Sequence, residues 1–529
     1  MRNFELPGRS AVRATGGMAA TSHPLATLVA VNVLQSGGNA MDAAVAAVAV
    51  QSVVEPQSTG VGGDCFMLYA PSGKGEIVAF NGSGCAPKAA TPEWFAKNGI
   101  REIGEFSPHA VTVPGAVDAW CRLIQDHGTK SMGELLQPAI RYARDGFPVH
   151  ERIARDWQQY TPTLAADPES ARIYLPGGKP PAAGSLHRQP ELARTLEAIA
   201  KNGRAAFYEG AVAEDIVAKL RGLGGLHTLD DFAAAAGEYV EPIRTAYRGF
   251  DVYECPPNGQ GIVALMILNI LADAGLDRFE PLSPKRLHLM IEAARLAYGE
   301  RDAWIADPRQ VDVPVKRLLS ADFAASMRDR ILPDRANHRA PIDVPAHADT
   351  VYLCVVDKDR NAVSFINSLF EPFGSGLTAP KSGVILQNRG FAFRLDPQHP
   401  NCIAPGKRPL HTIIPGMLVK DGRAVMPFGV MGGHYQAFGH AYLLTNLFEH
   451  GLDLQQAIDL PRLFPTPAGP VDVESGMPRA TTKALKAMGH KTQPAKKPLG
   501  GAQAISIDWQ SGVLTGASEP RKDGCALGY

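Results

Sequence analysis

The residues of this chain that could carry chemistry converge on one junction, Asp349-Thr350. Thr350 opens a β-branched and apolar run over residues 350–357, which predicts a buried strand. A polar turn leads into a second apolar run, residues 362–370, which predicts a returning strand and therefore a hairpin. A threonine hydroxyl at the mouth of a hairpin could act as a nucleophile, although most threonines at strand starts are structural.

A glycine pair, Gly432-Gly433, could meet a second requirement of acyl transfer, the stabilisation of an oxyanion. Acyl transfer passes through a tetrahedral oxyanion, which backbone amides stabilise when they point at the developing charge. The pair follows a predicted strand and precedes a predicted helix, and without a Cβ atom it can present two consecutive amides. A glycine pair by itself is more often a simple turn.

Several predicted elements must position these groups. The first helix begins at a Ser22 cap with proline in its first turn, and it ends before Gly37-Gly38. A second helix, residues 41–54, has almost no polar side chain and is predicted to be buried. The other predicted elements are strands over 66–69, 76–80, 383–387, 416–419 and 424–428, and helices over 262–274 and 437–448.

Two stretches have little periodicity. Residues 162–187 are rich in proline and glycine and predict an excursion over the surface. Residues 333–348 are polar and contain proline, so we expect a mobile segment ahead of the junction.

Composition excludes several classes of protein. With 45% hydrophobic and 20% charged residues, the 529-residue chain is typical of a globular protein with a large core. The formal net charge is zero, so nothing indicates nucleic acid or an anionic membrane as a partner. The seven cysteines are scattered without a C-x-x-C pair, which predicts reduced thiols rather than a zinc ribbon or a disulfide framework.

The N-terminus has no apolar signal region, and the most apolar stretch, residues 43–54, is too short to span a membrane. We therefore expect a cytoplasmic protein. The chain has no dinucleotide-binding or P-loop motif, which disfavours a non-catalytic protein that cradles a nucleotide in its glycine loops.

Longer motifs connect the junction to a known family. Residues 349–364, followed by Phe373-Gly-Ser-Gly376, resemble the start of the small subunit of the gamma-glutamyltransferase family, a family of N-terminal-nucleophile hydrolases. Further motifs are similar to that family at residues 37–44, 61–64, 113–120 and 519–529. The resemblance therefore covers nearly the whole chain.

The resemblance implies a fold and a division of the chain. The fold is the α/β (α+β) αββα sandwich of N-terminal-nucleophile hydrolases, with large and small segments interwoven. Cleavage between Asp349 and Thr350 would yield a large-subunit segment, residues 1–349, and a small-subunit segment, residues 350–529. The two self-derived segments would stay together as a heterodimer, and two heterodimers could associate.

The resemblance also implies catalytic roles. Thr350 would attack with its hydroxyl, and its freed α-amine, which titrates at roughly 7.7–8.0, would accept the proton. Ser368 falls on the family's hydroxyl that bonds this amine, and a plain hydroxyl at a strand end is the alternative. Gly432-Gly433, with Lys407-Arg-Pro-Leu410 upstream, falls on the family's oxyanion glycines. No cofactor and no metal is expected.

The substrate pocket departs from the family pattern. Ser83 stands where the family has an arginine for the glutamyl carboxylate, and Ala392 where it has an acid for the glutamyl amine. Phe370 replaces an asparagine that helps to hold the amine, and His411-Thr412 replaces a pair of serines. Because a site without a required polar partner loses much of its discrimination, we expect poor turnover of glutathione.

A cytoplasmic branch of the family that includes oxamate amidohydrolase is more similar. It has the Ser-Leu-Phe and Leu-Gln-Asn-Arg-Gly patterns found here at residues 368–370 and 386–390. Arg389, with Asn388 beside it in the pocket, is the candidate fork for the carboxylate of a small amide acid, since guanidinium binds carboxylate bidentately. A surface arginine, or one paired with an internal acid, is the alternative. His411 could orient the substrate or be a structural histidine.

We therefore expect a self-cleaving amidohydrolase that acts on a small carboxylated amide such as oxamate through an acyl-threonine intermediate. A transferase or hydrolase of gamma-glutamyl compounds, including glutathione, is the alternative within the family. Thr350 and the glycine pair support both enzymes. Ser83, Phe370 and Ala392 favour the first.

Overall fold

Two seven-stranded antiparallel sheets form the centre of the protein. The structure, a computed structural model, describes residues 8–337, 349–466 and 469–529. The sheet that contains the junction, here the junction sheet, has the strand order Cys525–Gly528, Met18–Thr21, Asp349–Val356, Ala362–Phe370, Asp64–Ala70, Val78–Gly82, Glu238–Val240. The other, here the companion sheet, has the order Val12–Ala14, Leu514–Ser518, Gly501–Ile507, Arg423–Met431, Pro415–Lys420, Phe250–Glu254, Ile243–Tyr247.

Helices cover the outer face of each sheet and complete the predicted αββα sandwich. On the junction sheet lie Pro24–Gln35, Ala40–Val54, Ala116–His127, Met132–Leu135, Gln137–Asp145, Pro190–Asn202, Arg204–Tyr208 and Ala211–Gly222. On the companion sheet lie Gly261–Leu271, Pro284–Trp304, Ala321–Arg328, Tyr435–Phe448, Leu454–Asp459 and Arg479–Ala487. The remaining short helices are Pro92–Lys97, Glu151–Gln159, Thr161–Ala165, Pro168–Tyr174, Leu229–Ala233 and Val315–Leu318. One small sheet consists of Leu463–Pro465, Val471–Val473 and Thr492–Pro494, and another pairs Phe147–Pro148 with Leu186–His187.

The strand Asp349–Val356 shows how the layers stack. Its odd-numbered residues from 351 to 355 join the apolar cluster shared with helices, whereas Tyr352 and Cys354 join the cluster between the sheets. Both faces are buried, which is why the sequence of this strand is continuously apolar. Gly429 allows the sheets to approach closely, because a Cβ atom there would lie 2.3 Å from the Tyr352 ring.

The predicted hairpin is confirmed, and a β-bulge interrupts it beside the junction. Asp349 pairs with Phe370, but Val351 pairs with Asn367, so that Thr350 faces two residues of the returning strand. Bulges re-aim side chains and are common next to active sites. Each large sheet mixes strands from both sides of the junction, so the two segments are interwoven as predicted.

The predicted third strand over residues 383–387 is wrong. Its apolar residues are buried, but their backbone groups bond to loops: Gln387 N donates to Gly62 O, and Leu386 N donates to Leu377 O. Because irregular partners satisfy these groups, the segment needs no neighbouring strand and forms a buried loop.

Two local predictions also need correction. The first helix is capped by His23, whose Nδ1 accepts a hydrogen bond from Leu25 N, while the predicted cap Ser22 donates to Glu55. The predicted surface excursion over 162–187 contains two short helices that pack into the core, because its apolar side chains are buried on one side.

Residues 338–348, most of the predicted mobile segment, lie outside the described residues. The residues just before them are held in place, since Ala336 N donates to Met488 O. All seven cysteines are described, and none forms a disulfide. Among the described helices, none is both long and apolar enough to cross a membrane.

Candidate active site

Thr350 is fully buried at the start of the hairpin. Its Oγ1 atom lies 3.0 Å from the Oγ atom of Ser368, within hydrogen-bond distance. Ser368 Oγ also accepts a hydrogen bond from Phe370 N at 2.9 Å. Phe370 has a φ of 82°, a left-handed conformation that costs a non-glycine residue about 1–3 kcal/mol. The bulge thus brings the predicted nucleophile and the predicted supporting hydroxyl into contact.

Arg389 extends this pair of hydroxyls. It is fully buried, and its Nη2 donates to Ser368 Oγ at 3.2 Å while its Nη1 donates to Thr412 Oγ1 at 2.8 Å. Its guanidinium carbon lies 4.1 Å from the centroid of the Phe370 ring, a cation–π contact. Burial lowers the pKa of Arg389 to about 9, although nearby carboxylates oppose the shift. The candidate carboxylate fork is therefore an interior cation beside the predicted nucleophile, not a surface arginine.

His411 has partners at both ring nitrogens. Its Nε2 lies 3.1 Å from Asp64 Oδ2, and its Nδ1 accepts a hydrogen bond from Ile413 N at 3.3 Å. The proton therefore belongs on Nε2. Burial and the charge of Arg389 lower the pKa of His411 to about 3, so the ring is neutral near pH 7. This geometry favours the structural-histidine alternative.

Asp64 is the centre of the same network. Its second oxygen, Oδ1, accepts hydrogen bonds from Gly84 N at 2.9 Å, Gly115 N at 3.0 Å and Gln387 Nε2 at 2.8 Å. One carboxylate thus joins three loops to His411. Such a buried hydrogen-bond network, in which both oxygens of Asp64 have partners, is rigid and specific in its geometry.

Ser83 and Asn388, two predicted pocket residues, bind protein groups in this structure. Ser83 Oγ accepts a hydrogen bond from Asn258 Nδ2 at 3.1 Å. Asn388 Oδ1 accepts from Glu371 N at 3.1 Å, and its Nδ2 donates to Glu105 O at 3.2 Å. Both side chains therefore hold the loops around Arg389.

Gly432 and Gly433 form the turn between a companion-sheet strand and the helix Tyr435–Phe448. Their φ angles are 118° and 57°, values that glycine adopts without strain. A Cβ atom on Gly432 would lie 2.7 Å from Gly500 Cα. Within the described ranges neither amide N–H donates to a protein acceptor, so both could stabilise an oxyanion.

Gln260 holds this glycine turn. Its Nε2 donates to the carbonyl oxygens of Gly433 and Thr412, each at 2.9 Å, and its Oε1 accepts from Arg301 Nη1 at 3.0 Å. A single side-chain amide therefore joins the glycine turn to the residue that bonds Arg389.

His434 follows the glycine pair directly and is buried. Arg301 Nη1 donates to its Nδ1 at 2.8 Å, and its ring centroid lies 6.3 Å from that of Phe370. Burial, together with the charges of Arg301, Arg389 and Arg394, holds the pKa of His434 well below its usual value. The ring is neutral, and no described residue bonds its Nε2.

A cleft extends from the surface toward the ring of His434. An open cavity of about 850 Å³ is lined by Pro92, Ala96, Gly99, Ile100, Arg101, Asp302, Arg394, Leu395, Asp396 and His399. A smaller cavity of about 30 Å³ shares Asp302, Arg394 and His399 with it and is also lined by Ala392, Asn401, Leu410 and His434. The smaller cavity therefore lies between the open cleft and the ring of His434.

One group of side chains in the described part of the chain has the spacing of metal ligands: His288, Glu292 and His490. His288 Nδ1 already lies 2.8 Å from His490 Nε2, and Arg295 donates to Glu292 at 3.3 Å. Hydrogen bonds and a guanidinium occupy the positions that a cation would need, so this cluster is better explained without a metal.

Prediction from sequence did not include four residues of the site: Asp64, Gln260, Arg301 and His434. Asp64 ends the Val-Gly-Gly-Asp motif, and His434 follows the glycine pair, so the motifs pointed to the right loops. Arg301 lies inside a long helix, where nothing in the local sequence distinguishes it from a surface arginine.

Comparison with known proteins identifies the family of the chain. The gamma-glutamyltranspeptidase family model matches residues 26–529. The chain is 38% identical to the glutathione hydrolase-like YwrD proenzyme of Bacillus subtilis, over 97% of this chain and 98% of that one, and 36% identical to the oxamate amidohydrolase proenzyme of Klebsiella pneumoniae, over 97% and 99%.

A solved structure is similar along its whole length. The crystal structure of cephalosporin acylase from Bacillus halodurans is 38% identical in sequence and has a TM-score of 0.92. The match covers 100% of the present chain and 99% of the acylase chain. The present chain therefore belongs to the gamma-glutamyltranspeptidase family of N-terminal-nucleophile hydrolases and is an enzyme of that family.

Proposed function

We propose that this enzyme releases Thr350 by self-cleavage and then hydrolyses a small carboxylated amide such as oxamate. The observation that supports it best is the buried chain of contacts from Thr350 Oγ1 through Ser368 Oγ to the Arg389 guanidinium. This chain places a hydroxyl nucleophile next to a buried cation.

Maturation begins with Thr350 Oγ1 attacking the carbonyl carbon of Asp349. The peptide bond breaks as an ester forms, and water hydrolyses that ester to leave segments 1–349 and 350–529. The bulge favours the reaction because it takes Thr350 out of regular pairing and holds its hydroxyl beside Ser368. The mature enzyme is a heterodimer of the two segments.

In turnover the free α-amine of Thr350 takes the hydroxyl proton as the oxygen attacks the substrate amide. The Gly432 and Gly433 amides stabilise the oxyanion, and ammonia leaves with the transferred proton. Water then hydrolyses the acyl-threonine ester. For oxamate the products are oxalate and ammonium, and Arg389 offers the charge that favours a carboxylated acyl group.

Gamma-glutamyl compounds are the second candidate substrates. The likeness to the glutathione hydrolase-like proenzyme favours them. The lack of an arginine at Ser83 and of an acid at Ala392 argues against them.

Cleavage and nucleophile are tested together with Thr350→Ala and a matched Thr350→Ser control. We expect the wild type to show a new N-terminus that begins Thr-Val-Tyr. The alanine variant should remain one chain without activity, while the serine variant should be cleaved and retain reduced turnover. An alanine variant that is both cleaved and active would refute the assignment.

Substrate choice is tested by measuring ammonia release from oxamate and glutamine, and cysteinylglycine release from glutathione. We expect oxamate to have the highest kcat/KM. Preferential release from glutathione would replace the first candidate by the second while leaving the nucleophile intact.

A further inference from the structure

The side chain of His434 presents an unused hydrogen-bond donor. Only 4% of the residue is exposed, yet its Nε2 has no partner among the described residues. Buried polar atoms without a partner are rare because their desolvation is not compensated, so each one requires an explanation. The ring lines the small cavity that opens toward the surface cleft, so a ligand in that cavity can reach it.

The chemistry of that donor is fixed by Arg301. A guanidinium can only donate, so the contact of 2.8 Å between Arg301 Nη1 and His434 Nδ1 makes Nδ1 the acceptor. The proton of the neutral ring therefore lies on Nε2, and the ring presents an N–H group to the cavity. The hydroxyl of Tyr298 donates to the His434 carbonyl, which holds the backbone in the same orientation.

The surroundings favour a negative ligand. The charged groups that act on His434 are Arg301, Arg389 and Arg394, and all three oppose protonation of the ring. Asp302 is the carboxylate that lines the small cavity, and Arg301 Nε already binds it at 2.8 Å. Asp302 Oδ2 has no partner among the described residues, but each described charge that acts on the ring of His434 belongs to a guanidinium group, so the potential at the ring is positive.

The size of the cavity limits the ligand. About 30 Å³ is room for one or two water-sized groups, and a carboxylate is of this size. The adjacent Gly433 amide would point at the reacting carbonyl, so a carboxylate bound here belongs to the acyl part of the substrate, close to the scissile bond.

We infer that His434 is a substrate-binding residue that selects anionic amides: its Nε2–H donates to a carboxylate oxygen of the acyl group in the cavity beside Gly433. The inference rests on the proposed function and gives it a specificity determinant.

The test uses His434→Phe, which keeps a planar ring without the donor, and His434→Gln, which restores an amide N–H near the Nε2 position. Matured enzyme is titrated with oxalate, the product anion, which cannot be hydrolysed further. We expect His434→Phe to weaken oxalate binding about tenfold or more, and His434→Gln to stay within about threefold of the wild type. The kcat/KM ratio of oxamate to uncharged oxamide should fall by a similar factor in the phenylalanine variant alone.

Equal oxalate affinity in the wild type and His434→Phe would overturn the inference, as would a wild type that does not bind oxalate. An unchanged ratio of oxamate to oxamide turnover with both rates reduced would show a structural role and overturn it as well. Failure of the proposed function is distinguishable: the cleaved wild type would then hydrolyse neither amide, while the oxalate titration would still report on His434.

Discussion

Two buried histidines near Arg389, His411 and His434, differ in how many of their ring nitrogens are hydrogen-bonded. In both, burial and arginine charge lower the pKa and keep the ring neutral. His411 is bonded at both nitrogens, to Asp64 and to Ile413 N. His434 is bonded at Nδ1 by Arg301, and its Nε2 faces a cavity without a partner in the described part of the protein.

The difference separates framework from binding site. An imidazole that is hydrogen-bonded at both nitrogens contributes to stability and has no donor or acceptor available for a substrate. An imidazole with one open nitrogen costs stability, and that cost is recovered when a ligand binds. We therefore expect the Asp64–His411 region to respond to mutation mainly in stability and the Arg301–His434 region mainly in turnover.

The largest effect should come from Asp64→Ala. The substitution removes the acceptor of Gly84 N and His411 Nε2, and one of two acceptors of Gly115 N and of Gln387 Nε2. We expect a loss of roughly 3 kcal/mol or more in the free energy of unfolding. Asp302→Ala is the matched change in the other region, and it should cost about 1.5–3 kcal/mol, since Asp302 accepts one charge-assisted hydrogen bond, from Arg301, among the described residues. Urea unfolding measures both. Equal losses would erase the distinction between the regions.

Gln260→Leu should reduce turnover rather than binding. Without the amide, the Gly433 carbonyl is no longer held, and we expect kcat to fall about 10- to 100-fold with KM nearly unchanged, less than direct loss of an oxyanion donor. Gln260→Glu keeps the acceptor for Arg301 but loses the donor to Gly433, so it should behave like the leucine variant. A glutamate variant with wild-type kcat would assign the effect to Arg301 instead.

The pH dependence of stability should identify His411. Its folded pKa of about 3 lies below its ordinary value of 6.5, so in that window the unfolded chain binds a proton that the folded protein does not. The free energy of unfolding therefore falls as the pH decreases below 6.5, by about 1.4 kcal/mol per pH unit for this one group. His411→Asn should show a shallower slope in urea unfolding between about pH 7 and about pH 5. Parallel slopes would mean that the imidazole is protonated in the folded protein.

The smallest effect should come from Ala392→Asp. Ala392 lines the same small cavity as His434, so a carboxylate there would repel an anionic acyl group. We expect kcat/KM for oxamate to fall about fivefold, and Ala392→Asn, which adds a similar volume without charge, to fall less. Steady-state rates for oxamate and oxamide separate charge from size. An equal decrease for both substrates would attribute the effect to size.

Prediction from sequence succeeded where the cause is local. The hairpin follows from two apolar runs and a polar turn, and the glycine turn follows from the steric freedom of two residues without Cβ atoms. It failed at residues 383–387, because a buried loop and a buried strand have the same apolar composition and differ only in which backbone groups they meet. The His23 cap was missed because serine is a preferred N-cap residue, which pointed to Ser22, whereas the Ser22 hydroxyl donates to Glu55 in the structure.

The sequence by itself determined the family, the αββα fold and the hairpin that presents Thr350. Only the tertiary structure decided which buried polar side chains have hydrogen-bond partners in the protein and which have a donor available for a ligand. The contacts that matter join residues far apart in the chain: 347 positions separate Asp64 from His411, 173 separate Gln260 from Gly433, and 133 separate Arg301 from His434. No local pattern encodes such pairs, because the partner of a buried polar group is set by how sheets and helices pack.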